Sequence, residues 1–331
     1  MGNGLLLDVE DLRIEFDTFE GTSHVLDGVS FTLERGETMG LVGETGCGKS
    51  ITAKAVLRLL PEPPARIASG RIRFMGEDLL QKSEGEMRKI RGKKIAMVFQ
   101  DPMTFLNPVF TVENQLRDVI LAHHRVDRRE GWSGRAKVRG KVIDLLRDVR
   151  IPQPESRMRS YPHEFSGGMR QRVLIAMALS GAPELLIADE PTTALDVTIQ
   201  AQILGLIQDL VERHRLSVLL ISHDLGVVAR VCRRIAVMYA GNIVENGGTG
   251  RIFRNPLHPY TRGLLNSILK FSRREAEAQA IKGTIPNLVE PPPGCRYHPR
   301  CRDRMGICER EKPISVEMEE GHWVSCHLFK G

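Results

Sequence analysis

Apolar residues along the chain occur in short continuous runs and in helical spacings, and the two patterns alternate. The run TMGLV at 38–42 predicts a buried strand, and ITAKAVLRLL at 51–60 follows it with apolar residues at helical spacing. A second run at 185–188 predicts another buried strand, and apolar residues recur with a helical period from 173 to 178. This alternation is typical of an α/β fold.

The chain offers no segment that predicts a membrane span. Its longest apolar run, 173–179, is far shorter than the ~20 residues that a spanning helix needs. The beginning, MGNGLLLDVEDLRIEF, has no basic region before its apolar residues, so we expect no secretory signal and a cytosolic location. In that compartment the six cysteines are expected to bind metal or pack in the core rather than pair as disulfides.

Composition is that of a globular protein with one large domain or two smaller ones. The 331 residues are 41% hydrophobic and 27% charged, and the net charge of +6 is scattered among nearly as many acids. One stretch, 125–141, is locally basic. We expect it to be a polar connection between helices, with a surface for phosphates or lipid headgroups as the alternative.

The residues GETGCGKS at 43–50 fit the pattern G-x-x-x-x-G-K-S between the predicted strand and helix. Glycines allow backbone N–H groups to surround phosphate oxygens, and the helix start favours negative charge. Lys49 would neutralise the β and γ phosphates, and the Ser50 hydroxyl would bind Mg²⁺. The predicted ATP-contacting residues here are Gly43, Glu44, Thr45, Gly46, Cys47, Gly48, Lys49, Ser50 and Ile51. Cys47 would make the site sensitive to oxidants if its pKa is low.

Two carboxylates follow the predicted strand at 185–188. Asp189 at the strand end is expected to hold Mg²⁺ through water, and Glu190 to orient or deprotonate an attacking water. Upstream, Ser166, Gly167 and Gly168 begin the helix that contains 173–178. A helix start with small residues predicts a second phosphate-binding position in the same chain.

Together these motifs resemble the ABC-type ATPase family over about residues 5–250. The signature appears as Phe165 to Met169, with methionine in place of the usual glutamine, and we expect no loss of activity from that change. The resemblance implies these further roles: Gln100 in the glutamine loop, Asp189 and Glu190 as the Walker B acid and the catalytic glutamate, Asp196 in the D-loop, and His223 as the switch histidine. Ser50, Gln100 and Asp189 would hold Mg²⁺, while Glu190, His223 and Gln100 would serve hydrolysis.

The family also stacks an aromatic residue of an N-terminal strand on adenine. Phe16 is our candidate, with Phe19 close behind. We expect 17–25, DTFEGTSHV, to form a lengthened loop.

The resemblance implies that two chains work as a pair. The signature helix of one subunit would close over the phosphate loop of another, and ATP would hold the pair shut until hydrolysis. Relatives that act on DNA carry a long coiled coil between the motifs, and relatives that act on ribosomes carry two phosphate loops. This sequence has neither, so it favours a transporter subunit over a soluble factor acting on nucleic acid or ribosomes.

After the core, NPLHPYT at 255–261 and the cysteine segment resemble the C-terminal extension of the oligopeptide/dipeptide importer ATPases. We therefore expect an α/β P-loop core at 1–255, with an N-terminal antiparallel β subdomain and a helical subdomain at about 101–180, and an extension at 256–331. Implied partners are two transmembrane permeases, a second and similar ATPase chain and, indirectly, an extracytoplasmic solute-binding protein, but no nucleic acid. We expect the ATPase pair to be a heterodimer, with a homodimer as the alternative. The chain would sit on the cytoplasmic side of the cell membrane and power peptide import, with oligosaccharides as the alternative cargo.

Four cysteines in the extension predict a metal centre. Cys295, Cys301, Cys308 and Cys326 are spaced C-x5-C-x6-C-x17-C, and four thiolates suit zinc or an iron–sulfur cluster. The resemblance favours a [4Fe-4S] cluster, with Zn²⁺ and reduced core thiols as alternatives. His298, His322 or His327 could replace one thiol, and the prolines at 291–293 would present the extension as an appendage. The expected role is structural, and Cys232 is expected to be buried packing.

Overall fold

The computed structural model describes residues 4–123, 131–193, 195–270, 281 and 283–329. The strands are β1 Leu5–Thr18, β2 Gly21–Glu34, β3 Thr38–Val42, β4 Ala65–Phe74, β5 Glu77–Asp78, β6 Ile95–Val98, β7 Leu185–Asp189, β8 Ser217–Ser222, β9 Arg234–Tyr239, β10 Asn242–Gly248, β11 Val316–Glu319 and β12 His322–Val324. The helices are α1 Lys49–Val56, α2 Glu84–Ile90, α3 Pro102–Phe105, α4 Val112–His123, α5 Gly131–Asp148, α6 Pro154–Arg157, α7 Gly167–Leu179, α8 Val197–His214, α9 Leu225–Val231, α10 Thr249–Arg254 and α11 Pro259–Lys270.

The chain divides into two compact units. The first contains the residues up to Gln81 and those from Leu220 onward, and the second is Lys82–Leu219. Of the basic stretch 125–141, residues 125–130 lie outside the described part, and 131–141 belong to helix α5 rather than to a connection between helices. Within the described residues, no helix is both long enough and apolar enough to span a membrane.

The N-terminal sheet of the first unit has the strand order β2-β1-β4-β5 and is antiparallel, which confirms the expected subdomain. The prediction of a lengthened loop at 17–25 is wrong, because β1 and β2 continue to a tight hairpin with Thr18 opposite Gly21. The Thr18 hydroxyl donates to the Gly21 carbonyl at 2.6 Å and closes this turn. Threonine and valine in this stretch favour extended backbone, so the polar residues belong to an exposed ribbon.

A second sheet in the first unit runs in the order β11-β12-β10-β9-β3. Strand β3 pairs in parallel with β9, and all five of its residues are buried, as its continuous apolar sequence predicts. Helix α9 packs very close to β3, since a Cβ added at Gly40 would lie 2.0 Å from Val228 Cγ1. These contacts fix the end of β3, from which the phosphate loop begins.

The C-terminal residues are part of the first unit and not an appendage on a proline linker. Strand β12 pairs with β10, placing Val324 opposite Glu245, and β11 continues the same sheet. Arg296 is buried and donates to the carbonyl oxygens of His24 at 3.0 Å and Ala240 at 2.7 Å. Sheet pairing and buried hydrogen bonds therefore hold this segment against the core.

The second unit contains the parallel pair β6 and β7, with Ile95 opposite Leu185. Helices α3 to α7 lie between these strands in the chain, within 102–179. Strand β7 is buried along its whole length and ends at Asp189, so the apolar run positions an acid at the strand end.

Candidate nucleotide-binding site

The phosphate loop lies between β3 and α1 in the first unit, and two of its glycines lie too close to neighbouring atoms to carry a side chain. A Cβ at Gly43 would lie 2.1 Å from the Met238 carbonyl oxygen. At Gly48, the N-cap of α1, a Cβ would lie 2.6 Å from Leu26 Cδ2, and φ is +106°. A side chain at either position would push the loop away from the sheet, so the sequence pattern reflects steric need.

Lys49 points into this loop. Its side chain is buried, with 4% of the residue exposed. The Nζ atom donates to the carbonyl oxygens of Gly43 at 2.8 Å and Glu44 at 2.9 Å. The loop therefore encloses a positive charge, the chemistry that phosphate binding needs. Ser50 follows in the first turn of α1 and is half-buried.

Cys47 is buried beside this lysine. Burial raises the pKa of the Cys47 thiol, and this effect outweighs the nearby Lys49 charge, which lowers it. A protonated buried thiol is a poor nucleophile. The expectation of an oxidant-sensitive thiolate here is therefore not met. Cys232, expected as packing, is buried as well.

Glu44 in the phosphate loop is bound by two residues of the C-terminal extension, a contact that the sequence did not predict. Its backbone N–H donates to the Tyr260 hydroxyl oxygen at 2.9 Å. Its carboxylate accepts two hydrogen bonds from Arg300, from Nη1 at 2.6 Å and from Nη2 at 3.0 Å. The motif NPLHPYT contains Tyr260, but nothing in the sequence indicated where its side chain would bind.

Three tyrosines surround this contact. The ring centroids of Tyr239 and Tyr260 lie 4.7 Å apart, and those of Tyr239 and Tyr297 lie 5.0 Å apart. Arg300 Nη1 also donates to the Tyr239 hydroxyl at 3.3 Å. Burial raises the pKa of Tyr297 to about 12 and raises that of Tyr260 as well. These phenols are therefore neutral near pH 7.

His258 supports Tyr260 from within the same motif. It is buried, and its Nδ1 accepts the Tyr260 backbone N–H at 3.1 Å. The His258 backbone N–H donates to the buried Glu245 carboxylate at 2.9 Å, and the His322 ring bonds to the same carboxylate at 2.9 Å. Burial, with the nearby Arg262 charge, lowers the pKa of His258 to about 3, so the ring is neutral.

The other predicted site residues of the first unit are His223 and the two aromatic candidates for the adenine contact. His223 is exposed between β8 and α9, whose N-cap is Asp224. Phe16 is half-buried in β1, opposite Ser23 in β2. Phe19 is fully exposed in the hairpin turn.

The second unit brings Gln100 and Glu190 together. Gln100 Nε2 donates to Glu190 Oε2 at 3.0 Å, and the Thr193 hydroxyl donates to the same oxygen at 3.0 Å. Glu190 has φ +47°, a conformation that is uncommon for residues other than glycine and is often found at functional sites. Asp189, with 5% of the residue exposed, ends β7 next to it.

The signature residues form the start of α7. Ser166 is the N-cap, and its side chain accepts the Met169 N–H at 3.3 Å. Ser166 and Gly167 are exposed, whereas a Cβ at the buried Gly168 would lie 2.5 Å from Ile199 Cγ2 in α8. The glycines thus serve two needs, an open helix start and a close approach of two helices. Asp196 caps α8 by accepting the Ile199 N–H at 2.9 Å, and it is exposed.

The four C-terminal cysteines lie in one region. The Cys295 N–H donates to the Cys308 carbonyl at 2.9 Å. Burial raises the pKa of Cys295 and of Cys301 to about 11 each, and the thiols of Cys308 and Cys326 contribute to both shifts. Burial and the Cys308 thiol raise the pKa of Cys326 too.

The described side chains do not show ligand geometry for a single metal ion. Among the residues that the structure describes, no three side chains of histidine, cysteine, aspartate or glutamate are arranged to hold a metal ion. The histidines considered as substitutes bond elsewhere: His298 Nδ1 to the Cys295 carbonyl, His322 to Glu245 and His327 to the Glu311 carbonyl. The expectation that these groups converge on one ion is therefore not supported.

Known proteins share this organisation. Residues 26–193 match the family described as "ABC transporter", and residues 244–308 match "Oligopeptide/dipeptide transporter, C-terminal region". The chain is 50% identical over 323 residues to the "Probable peptide ABC transporter ATP-binding protein y4tR" of Sinorhizobium fredii, covering 97% of this chain and 94% of that protein. It is 49% identical to the "Dipeptide transport ATP-binding protein DppD" of Bacillus subtilis, covering 98% and 94%.

Among solved structures, "Dimeric Structure of MJ0796, a Bacterial ABC Transporter Cassette" is similar with a TM-score of 0.63 and 25% identity, covering 74% of this chain and 99% of that one. The α/β core with its antiparallel N-terminal sheet agrees with this likeness. The chain belongs to the ABC transporter family, as an ATP-binding protein with the C-terminal region of oligopeptide/dipeptide transporters.

Proposed function

We propose that this chain is the ATP-hydrolysing subunit of a membrane importer for dipeptides and oligopeptides. The observation that carries this proposal is the joining of two matched regions in one chain, the core at 26–193 and the peptide-transporter region at 244–308. Relatives that match almost the whole chain are named for peptide transport. The motifs of the core supply the energy from ATP, and the extension identifies the transporter group.

In the first unit, the phosphate loop binds ATP. Its backbone N–H groups surround the phosphates, and Lys49 neutralises the charge between the β and γ phosphates. The Ser50 hydroxyl, together with Gln100 and Asp189, would hold Mg²⁺, which neutralises phosphate charge when bound. Oxygen donors of this kind suit that ion, and Asp189 is buried at the end of β7. The same loop contributes Gly43 to Gly48 and Ile51 as nucleotide contacts, and Phe16 is the proposed adenine contact.

Hydrolysis then requires an oriented water. Glu190 accepts a proton from this water or orients it, while Gln100 and Thr193 hold the carboxylate by donating to Oε2. His223, exposed at the end of β8, contacts the γ-phosphate in this proposal. The water would attack the γ-phosphate in line with the departing ADP. For this step the protein mainly has to position the water and stabilise the charge.

Two ATP-binding chains act together in this account. The exposed Ser166 and Gly167 at the N-terminus of α7, with Gly168 behind them and the exposed Asp196, would meet the ATP of a second and similar chain. A helix start of this kind favours a phosphate. The related solved structure named as a dimeric cassette supports a paired arrangement. ATP binding would close the pair, and hydrolysis would open it.

Exposed apolar side chains in the second unit support docking to a membrane-embedded partner. Phe105, Phe110 and Leu121 are exposed, and 70% of Val109 is accessible. Three of these residues, 105, 109 and 110, follow Gln100 within ten residues, and Phe99 stacks on Phe105 with centroids 4.4 Å apart. Large apolar side chains that remain exposed are typical of a protein interface. We propose that two permease subunits bind here on the cytoplasmic face of the membrane, with cargo delivered outside by a solute-binding protein.

A transport measurement tests this function. A strain that lacks this chain is supplied with wild type or with Lys49→Ala, and uptake of labelled dipeptides, longer peptides and oligosaccharides is measured. We expect peptide uptake to be restored by wild type and not by the variant. Normal peptide uptake in the deletion strain, with a loss of oligosaccharide uptake, would assign the other cargo.

For the cysteines we propose a [4Fe-4S] cluster with a structural role. Four thiols lie in one region, although no three described side chains are arranged for a single ion. A cluster separates its thiolate ligands more widely than one zinc ion does, since each zinc–sulfur bond is only ~2.3 Å. The test is an absorption spectrum of anaerobically purified protein with iron, sulfide and zinc analysis. Colourless protein with one zinc would contradict the cluster.

A further inference from the structure

Two residues of the extension hydrogen-bond to Glu44 of the phosphate loop, and they do so from two directions. Tyr260 binds its backbone N–H and Arg300 binds its carboxylate. Both partners are distant in the chain, 216 and 256 residues from Glu44. Neither belongs to the motifs to which nucleotide binding is assigned above.

Glu44 is also hydrogen-bonded to Lys49, the lysine of the loop. Its carbonyl oxygen accepts a hydrogen bond from Lys49 Nζ at 2.9 Å, beside the Gly43 carbonyl at 2.8 Å. The Gly43–Glu44 peptide is also pressed against Met238, whose carbonyl oxygen leaves no space for a Cβ at Gly43. The orientation of this peptide therefore depends on what holds Glu44, and the lysine position depends on the peptide.

Arg300 belongs to the cysteine segment, 295–308, and its side chain is buried and held by further hydrogen bonds. Its side chain is 6% exposed, against 28% for that of Glu44. It ends a short 3-10 helix, His298–Arg300, that lies between Cys295 and Cys301. Arg300 Nη2 also donates to the Gly283 carbonyl at 3.1 Å. A planar guanidinium fixed in this way presents two parallel donors to the carboxylate, an arrangement stronger and more directional than a neutral hydrogen bond.

We propose that Arg300 and Tyr260 are positioning residues for nucleotide binding, through which the C-terminal segment sets the conformation of the phosphate loop at Glu44. The proposal rests on the proposed ATP-binding role of that loop. It gives the extension a part in the ATP cycle in addition to any structural role of its thiols. Neither residue touches the nucleotide in this account, since both act through Glu44.

Equilibrium binding of a non-hydrolysable ATP analogue with Mg²⁺ to the full-length chain tests the proposal. We expect Arg300→Gln to weaken binding about tenfold, which corresponds to about 1.4 kcal/mol. Arg300→Lys should lie between this variant and wild type, because lysine keeps the charge but loses the two-pronged geometry. Arg304→Gln, an exposed arginine of the same segment, is the matched control and should bind as wild type does.

A double-mutant cycle separates positioning from general stability. In a Glu44→Gln background, Arg300→Gln should weaken binding of the analogue by less than about a further twofold, because the carboxylate that Arg300 binds is already gone. Tyr260→Phe, which keeps the ring and removes the hydroxyl, should weaken binding in the Glu44→Gln background as well as in wild type. Melting temperatures without nucleotide identify any variant that has lost its fold.

Two results would overturn the proposal. One is Arg300→Gln binding the analogue as tightly as Arg304→Gln, and the other is an Arg300→Gln effect that is fully retained in the Glu44→Gln background. Failure of the ATP-binding role itself would look different, because Lys49→Ala would then bind the analogue as well as wild type.

Discussion

Gln100 Nε2 lies 3.0 Å from Glu190 Oε2 and donates a hydrogen bond to it across 90 residues of sequence. The bond joins the segment that follows β6 to the end of β7, two strands that pair in parallel. The carboxyl ends of parallel strands lie at the same sheet edge, which is where residues for catalysis commonly gather. Sheet geometry thus places an amide where it orients the proposed base.

Replacing that base should separate binding from hydrolysis. We expect Glu190→Gln to lower the ATP hydrolysis rate of the assembled importer at least ~100-fold, because a catalytic proton acceptor contributes about that much. ATP affinity should change less than about threefold, because Gln100 and Thr193 can still donate to the amide oxygen. Glu212→Gln, on the exposed face of α8, is the control. Equal hydrolysis in both variants would exclude Glu190 as the base.

Lys49→Ala should abolish tight nucleotide binding. The variant removes a buried charge that the loop encloses, and we expect at least ~100-fold weaker ATP binding, or about 3 kcal/mol. Lys54→Ala, later in the same helix, should bind ATP within about twofold of wild type. Isothermal titration measures both, and similar affinities for the two variants would contradict the role given to Lys49.

Gly43→Ala tests the steric demand of the loop. The added methyl group would lie 2.1 Å from a backbone carbonyl oxygen, which cannot move away as a side chain can. We expect ATP binding to be lost and stability to fall by roughly 1–3 kcal/mol. Gly140→Ala in α5, where nothing lies within 4 Å of the new atom, should instead gain roughly 0.5–1 kcal/mol. Chemical unfolding measures both variants, and a Gly43→Ala protein as stable as wild type would refute the crowding.

His258 should make the protein less stable in mild acid. Its pKa is about 3 in the folded state against 6.5 for the free side chain. As pH falls below 6.5 the unfolded chain takes up a proton first, so stability is complete above that pH and falls towards pH 3. At pH 5 this effect lowers the free energy of unfolding by about 2 kcal/mol relative to neutral pH.

Urea unfolding at pH 7 and pH 5 checks this linkage. The free energy of unfolding should fall between pH 7 and pH 5 by about 2 kcal/mol less in His258→Asn than in wild type, because asparagine does not titrate. The asparagine carbonyl can accept the Tyr260 N–H in place of the ring nitrogen. An unchanged loss would mean that His258 does not titrate in this way.

Local patterns in the sequence predicted the site better than they predicted its surroundings. The strand at 38–42, the phosphate loop and the acid at the end of β7 are encoded by residues that are neighbours in the sequence. Short apolar runs next to glycines or acids indicate them directly. The restraint of Glu44 by Tyr260 and Arg300 depends on contacts across more than 200 residues, 216 and 256. The spacing of apolar and polar residues along the chain does not indicate such distant contacts.

Two of the expectations that failed, the loop at 17–25 and the appendage on a proline linker, show what local sequence leaves out. The stretch 17–25, predicted as a lengthened loop, forms a hairpin instead, because a hairpin exposed to solvent tolerates its glycine and polar residues. The prolines at 291–293 were expected to present an appendage, but pairing of β12 with β10 and the buried Arg296 hold the segment to the core. Composition indicates local stiffness and polarity, whereas tertiary pairing decides what a segment contacts.

The central claim is that each ATP lies between the phosphate loop of one chain and the signature serine of another. The most direct measurement is a structure of the assembled importer carrying Glu190→Gln in this chain, with Mg²⁺ and ATP bound. The account predicts one ATP contacted by Lys49 of this chain and by the signature of a second ATP-binding chain, with Ser166 of this chain on the other nucleotide. An ATP enclosed by Lys49 and Ser166 of a single chain would contradict it.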